Sequence, residues 1–124
     1  MGRIAAVLVL VAGVAAIAVY NLVTSLEVEL VSDGVHVIYG QGGNVGVLDT
    51  DRGTVVVDTM SFALQGRQIR DRAEQLGGGP VTAIINTHYH LDHTHGNPAF
   101  PAGITVVSTA RTLAYLRTLD ASYW

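Results

Sequence analysis

The chain has 124 residues, of which 49% are hydrophobic and 14% charged, and this length suits one small domain at most. Its formal net charge is −3, and no basic stripe with interleaved aromatic residues is present, so the composition argues against a nucleic-acid partner. Cysteine is absent, which excludes disulfide bonds and thiolate ligands, so any metal site must use His and carboxylate side chains.

An apolar segment, residues 4–23, lies near the start of the chain. In helical form, about 20 apolar residues are long enough to span the hydrocarbon core of a membrane. Arg3 lies before this segment, and Glu27 and Glu29 lie after it, so the positive-inside bias predicts a cytoplasmic N-terminus. The rest of the chain is then exported to the periplasmic or extracellular side.

A cleaved signal peptide is the alternative interpretation of the same segment. Ala16-Ile17-Ala18 offers an A-x-A cleavage site after an apolar stretch of suitable length. The apolar run continues beyond that site without a polar region, which favours an uncleaved anchor, and both interpretations export the domain. We therefore divide the chain into an anchor or signal segment, residues 1–25, and a domain, residues 26–124.

Short apolar or alternating stretches after residue 25 predict strands. The predicted strands cover residues 26–30, 35–39, 45–48, 54–57, 81–85 and 104–107. The stretch 81–85 is short and β-branched, with Gly-Pro before it and polar residues after it, which is typical of a buried strand.

Two helices are predicted between and after these strands. The first begins at an N-cap on Ser61 and runs to about Leu76, with apolar residues on one face and charged residues elsewhere. The second begins after Ser108 or Thr109 and runs to about Leu119. The order of elements therefore indicates one layer of helices on one sheet.

Four histidines and an aspartate follow the strand predicted at 81–85. His88 and His90 are two residues apart, so in an extended segment their imidazoles project from the same side and can reach one cation. Asp92 and His93 are adjacent, and they serve a second cation only if the backbone turns after His90. Imidazole nitrogen and carboxylate oxygen suit zinc. The alternative is a surface His-rich tract that binds metal adventitiously, without catalysis.

The spacing His88-x-His90-x-Asp92-His93 resembles the HxHxDH signature of the metallo-β-lactamase fold superfamily. The resemblance runs from about Leu26 to the last residue. It implies an α+β fold that is half of an αββα sandwich, with one mostly antiparallel or mixed sheet and helices on one face. The apolar N-terminal helix precedes this half.

The same resemblance implies roles for individual residues. His88 and His90 bind a first metal, and Asp92 and His93 bind a second. Asp92 is also the expected catalytic residue, because it can hold or accept a proton of the water at the metal. Asp58 is expected to support the site from behind through hydrogen bonds, and His95 is expected to orient rather than to bind. The cofactor is Zn²⁺, one or two ions, with iron as the alternative.

Relatives in this family take further ligands from a later half of the domain: a third His, a bridging Asp and a final His. This sequence stops before them, so we expect a fragment or an early-terminated product. Its sheet would expose an apolar face, to be covered by a second copy of the chain or by the missing C-terminal half.

The resemblance implies a metal-dependent hydrolase, in which a metal-bound hydroxide attacks an ester, thioester, lactone or lactam of a small-molecule substrate. One alternative is a non-catalytic, membrane-anchored metal-binding remnant or subunit. Another is an iron-dependent oxidoreductase on the same fold. His36, far upstream of the cluster, is interpreted as an ordinary half-exposed residue.

Overall fold

A computed structural model describes residues 2–119 of the protein. The helices are α1 (Gly2–Thr24), α2 (Ala63–Leu76), α3 (Leu91–Thr94) and α4 (Ala110–Leu119). The strands are β1 (Leu26–Ser32), β2 (Val35–Gly40), β3 (Gly43–Thr50), β4 (Gly53–Val57), β5 (Val81–Ile85) and β6 (Thr105–Val107). A short 3-10 helix, Asn97–Ala99, follows α3. All six predicted strands are present, within two residues of the predicted bounds.

The strands form one six-stranded sheet in sequence order, from β1 to β6. Strands β1 to β4 pair antiparallel through tight turns, whereas β4, β5 and β6 pair parallel. Helix α2 makes the crossover between β4 and β5, as a parallel pair requires. The predicted α+β class, with a mixed sheet, is confirmed.

The core lies between one face of this sheet and α2. Six buried sheet residues belong to it, one or two from each of β2 to β5: Ile38, Val45, Val47, Val56, Val81 and Ile84. Helix α2 contributes Ile69 and Ala73, which are fully buried. Burying a side chain the size of Ile or Val stabilises the fold by about 1.5–3 kcal/mol, so these contacts fix α2 on the sheet.

The opposite face of the sheet remains open. The strand register places Val57 opposite Ile85, and Ile85 opposite Val107. Ile85 is 37% exposed and Val107 is 50% exposed. The prediction that 81–85 is buried is therefore half wrong, because only Val81 and Ile84 are buried and the open face leaves Ile85 in solvent.

The structure corrects the predicted N-cap of α2 and agrees with the predicted N-cap of α4. Ser61 does not cap α2, which begins after Phe62 with no side-chain cap. Instead the Ser61 backbone N–H donates to Oε1 of Gln65 at 3.2 Å, so a side chain within the first turn satisfies this group. Thr109 caps α4, because its Oγ1 accepts the Thr112 N–H at 3.1 Å.

Helix α1 stands apart from this core, and none of its described side chains is buried. Within residues 2–119, it is the one helix long and apolar enough to cross a membrane, with a mean hydropathy of 2.5.

At the outer edge of the sheet, the Tyr39 hydroxyl donates to Glu29 at 2.8 Å, and this hydrogen bond raises the pKa of the phenol.

Candidate metal centre

The four histidines lie in a loop between β5 and the 3-10 helix, residues 86–97, which we call the histidine loop. The parallel register pairs Val57 with Ile85, so the ends of β4 and β5 lie side by side. The residues that follow these two strands therefore meet, although they are far apart in sequence. This pairing brings Asp58 against Thr87 and His93.

Asp58 is 4% exposed and accepts hydrogen bonds from two residues of the histidine loop. Its Oδ1 accepts the Thr87 backbone N–H at 2.9 Å. Its Oδ2 accepts the Thr87 hydroxyl at 2.7 Å and Nδ1 of His93 at 2.7 Å. Such charge-assisted hydrogen bonds are about twice as strong as neutral ones, so Asp58 fixes the loop from below.

The backbone of Asp58 adopts a left-handed conformation, with φ of 65°. Asp tolerates this region better than most residues because its short polar side chain can bond locally. Met60 has a similar φ of 63°, which is more costly for a longer side chain. This bend after β4 accompanies the turn of the Asp58 carboxylate towards the histidine loop.

These hydrogen bonds assign the tautomer of His93. A carboxylate can only accept, so Nδ1 of His93 must carry the proton that it shares with Asp58. In neutral His93, Nε2 is then left with a lone pair. That nitrogen lies 3.4 Å from Oδ2 of Asp92. Two lone pairs at this distance repel unless a cation or a proton lies between them, so the pair suits a cation.

The tautomer of His88 follows from the same network. The Thr87 hydroxyl gives its one proton to Asp58, so towards Nδ1 of His88, 3.0 Å away, it can only accept. Nδ1 of His88 therefore carries a proton, and Nε2 has the lone pair that a metal needs. A hydrogen bond from the remote ring nitrogen is the usual way in which proteins orient metal-binding imidazoles.

The rings of the predicted ligands cluster. The centroid of His88 lies 4.7 Å from that of His90 and 4.0 Å from that of His93. The turn that the prediction required after His90 is present, because α3 begins at Leu91 and places Asp92 in its first turn. Within the described part of the chain, however, no three His, Asp or Glu side chains form a complete metal-binding group.

His95 lies at the end of α3 and lines a cavity of about 300 Å³. The other lining residues are Tyr89, His90, Leu91, Asp92 and Leu119. The Tyr89 ring contacts His90 edge-to-face and packs at a tilt against Tyr115 of α4, with centroids 4.7 Å and 4.6 Å away. Tyr89 thus joins α4 to the histidine loop, a role that the sequence analysis missed. His36 is half-buried on β2, outside the loop.

A buried polar network, also missed, joins the two ends of the histidine loop. Nδ2 of Asn97 donates to Oδ1 of Asn86 at 2.7 Å, and the Thr59 hydroxyl donates to Oδ1 of Asn97 at 2.7 Å. The His93 carbonyl accepts the Thr59 N–H at 2.9 Å. Asparagine at each end of a His-rich loop was the available signal, because buried amides need partners on both sides.

Two glycines allow close approach of the backbone around the loop. A Cβ on Gly96 would collide with the Thr59 carbonyl oxygen, so only glycine fits there. Gly42, with φ of 105°, lies in the β2–β3 turn, where a Cβ would be 3.9 Å from Cβ of Asp92. That turn therefore forms a side wall of the candidate site.

The family model for the metallo-beta-lactamase superfamily matches residues 38–119. Over 54 residues the chain is 32% identical to the linear primary-alkylsulfatase of Pseudomonas sp. (strain ATCC 19151), a match that covers 44% of this chain and 10% of that protein.

Solved structures show the same fold. A subclass B3 metallo-beta-lactamase of Bradyrhizobium japonicum is 27% identical, with a TM-score of 0.65 over 81% of this chain and 39% of its own. The mono-zinc form of a metallo-beta-lactamase from Pseudomonas aeruginosa is 19% identical, with a TM-score of 0.63 over 73% of this chain and 44% of its own. The chain thus spans less than half of these solved relatives and about a tenth of the alkylsulfatase.

Proposed function

Because the chain belongs to the metallo-beta-lactamase superfamily, we propose that it supplies the histidine-loop half of a zinc-dependent hydrolase. The observation that carries the proposal is the hydrogen bond between Asp58 and Nδ1 of His93, which leaves Nε2 facing Asp92. A polar network that only orients imidazoles has little value in a surface metal binder without catalysis. It has clear value where the positions of ligands decide reactivity.

The residues of the histidine loop divide the work. His88 and His90 would hold one zinc ion, and His93 and Asp92 would hold a second. When bound, zinc polarises the scissile group and brings the pKa of water close to 7. The Asp92 carboxylate, 3.4 Å from His93 and 42% exposed at its side chain, also accepts or holds the proton of the attacking water. Asp58 keeps the Nε2 atom of His93 free of its proton.

The substrates that we propose are small molecules with a cleavable ester, thioester, lactone or lactam bond. The match to an enzyme named linear primary-alkylsulfatase supports a second class, alkyl sulfate esters. In both classes the cleaved bond lies at a polarised centre. Zinc can polarise this centre further, and Asp92 can accept the proton of the water.

We also propose that the open sheet face is covered by the second half of the domain. The row formed by Val57, Ile85 and Val107 is apolar and accessible, and solved relatives of the same fold are more than twice as long as the matched part. The remaining zinc ligands would come from that half. Helix α1 would then be the membrane anchor, and the domain that follows it would lie on the periplasmic or extracellular side.

The test is zinc uptake by the purified chain, measured by elemental analysis after chelation and reloading. The chain should bind zinc weakly, because two imidazoles are half of a tetrahedral shell. Replacing both His88 and His90 by alanine should remove the zinc that these two side chains hold, leaving at most the ion at His93 and Asp92, while the far-ultraviolet circular dichroism stays the same. His36→Gln is the matched control, since it removes one imidazole outside the loop.

Unchanged uptake in the double variant would contradict the assignment of these two ligands. Iron that copurifies with the chain, with redox-sensitive absorption, would favour an oxidoreductase instead, because zinc has a filled d shell.

A further inference from the structure

The end of α1 is fixed to the domain by the side chains of α2. Nε2 of Gln65 donates to the Val23 carbonyl at 3.1 Å, and Nε2 of Gln68 donates to the Thr24 carbonyl at 3.4 Å. The last carbonyls of a helix lack partners within the helix, so these amides act as an external cap. Gln65 is fully buried, which makes the joint part of the folded domain rather than a surface contact.

The same amide connects α1 to the wall of the candidate site. Nε2 of Gln65 also donates to the Gln41 carbonyl at 2.6 Å. The next residue, Gly42, approaches Asp92, since a Cβ there would be 3.9 Å from the Asp92 Cβ. With standard bond lengths, this chain of contacts puts Asp92 within roughly 15 Å of the Val23 carbonyl.

The length of α1 then places this joint relative to a bilayer. Residues 4–23 form about 30 Å of helix at 1.5 Å per residue, which equals the thickness of the hydrocarbon core. Val23 therefore lies at the hydrocarbon boundary, and the head groups extend roughly 5–8 Å beyond it. Asp92 would lie at or just outside the head groups.

Apolar side chains near the joint suit this position. Leu64 of α2 lines a cavity with Val19, Tyr20 and Val23 of α1. Phe62, at the start of α2, is 52% exposed. Tyrosine is among the residues enriched at membrane–water interfaces, so Tyr20 fits this position.

We propose that the histidine loop is held at the surface of the lipid bilayer by the capping of α1 by Gln65 and Gln68. The proposal rests on the anchoring role of α1 stated above and deepens the proposed function. A site in this place favours substrates that are themselves held in the bilayer by an alkyl chain, because their polar group reaches the loop without leaving the membrane.

The chain has no cysteine, so a single introduced cysteine can carry a fluorophore. Leu91→Cys labels the histidine loop, where Leu91 is 56% exposed. Asp51→Cys labels the β3–β4 turn at the other end of β3, roughly 25 Å away at about 3.3 Å per residue. Each protein is reconstituted in phosphatidylcholine vesicles that contain a head-group nitroxide lipid, and quenching is measured.

The label at position 91 should be quenched at least about twofold more than the label at 51, because only the former lies near the head groups. Replacing both Gln65 and Gln68 by alanine should abolish the difference, and Gln75→Ala, on an exposed residue of the same helix, should keep it. Because the buried Gln65 supports the fold, Leu64→Ala with Gln68→Ala is the second, milder variant.

Equal quenching of the two labels in the parent chain, or stronger quenching at 51, would overturn the inference. Failure to float with vesicles would overturn both the inference and the anchor. Zinc uptake is measured in detergent, before reconstitution, on the Asp51→Cys protein, because a label at position 91 would lie between His90 and Asp92. Absence of uptake there, with the quenching difference intact, would refute the hydrolase proposal and leave the membrane placement supported.

Discussion

The substitution Asp58→Asn separates the two tasks of this carboxylate, support of the fold and control of a tautomer. Asparagine has the same size and tolerates the left-handed backbone of this position. Its carbonyl oxygen can still accept the Thr87 N–H. Its amide, however, would present a donor where Oδ2 now accepts both the Thr87 hydroxyl and Nδ1 of His93.

The expected loss of unfolding free energy is about 1.5–3 kcal/mol, the range for hydrogen bonds to a charged group. The larger consequence is chemical. Facing an amide donor, Nδ1 of His93 must accept, so the proton moves to Nε2 and blocks the nitrogen that faces Asp92. Loss of such an orienting partner lowers metal affinity by about 10–100-fold. We therefore expect zinc affinity to fall much further than stability.

The assay combines nitrogen-15 spectra of the imidazoles, which show the protonated nitrogen, with zinc titration and denaturant unfolding in detergent. Asp51→Asn, on the exposed β3–β4 turn, is the matched control and should change none of the three. If Nδ1 of His93 stays protonated in Asp58→Asn, or zinc affinity is unchanged, the orienting role assigned to Asp58 is wrong.

Two other substitutions test the surroundings of the loop. Thr87→Val should remove the hydrogen bond to Nδ1 of His88 and lower zinc affinity, whereas Thr87→Ser should keep both. Equal zinc affinity of the two variants would refute the orienting role of this hydroxyl. Gly96→Ala should lower the unfolding free energy by about 1–3 kcal/mol or more, since its Cβ meets the Thr59 carbonyl. Gly79→Ala, whose Cβ would meet nothing within 4 Å, is its control; similar melting temperatures for the two would contradict this packing argument.

The strands were predictable because their signals are local. Alternation and β-branched runs located every strand of the described sheet. The capping of α2 was not predictable in the same way. Ser61 has the residue type of an N-cap, but the buried Gln65 takes its N–H, and that arrangement depends on what surrounds the helix start.

In the candidate site, too, local features could be predicted from the sequence and contacts between distant residues could not. The spacing of His88, His90, Asp92 and His93 was readable from the sequence, and the assignment of these residues as ligands stays a prediction. Two contacts could not be predicted from the sequence, because each joins residues from different elements. They are the packing of Tyr89 against Tyr115 and the buried hydrogen bond between Asn86 and Asn97. Nothing in a single loop specifies which remote side chain will meet it.

The sequence by itself determined the positions of the strands, the apolar helix and the grouping of imidazoles with a carboxylate, since all of these follow from periodicity and spacing within a few residues. Only the tertiary structure decided that Asp58 orients His93, 35 residues later, and that Gln65 joins α1, α2 and the β2–β3 turn. The physical reason is that the direction of a hydrogen bond depends on strand pairing and helix docking. Parallel pairing of β4 with β5 places Asp58 beneath the loop, and that pairing is chosen by burial of the whole sheet face.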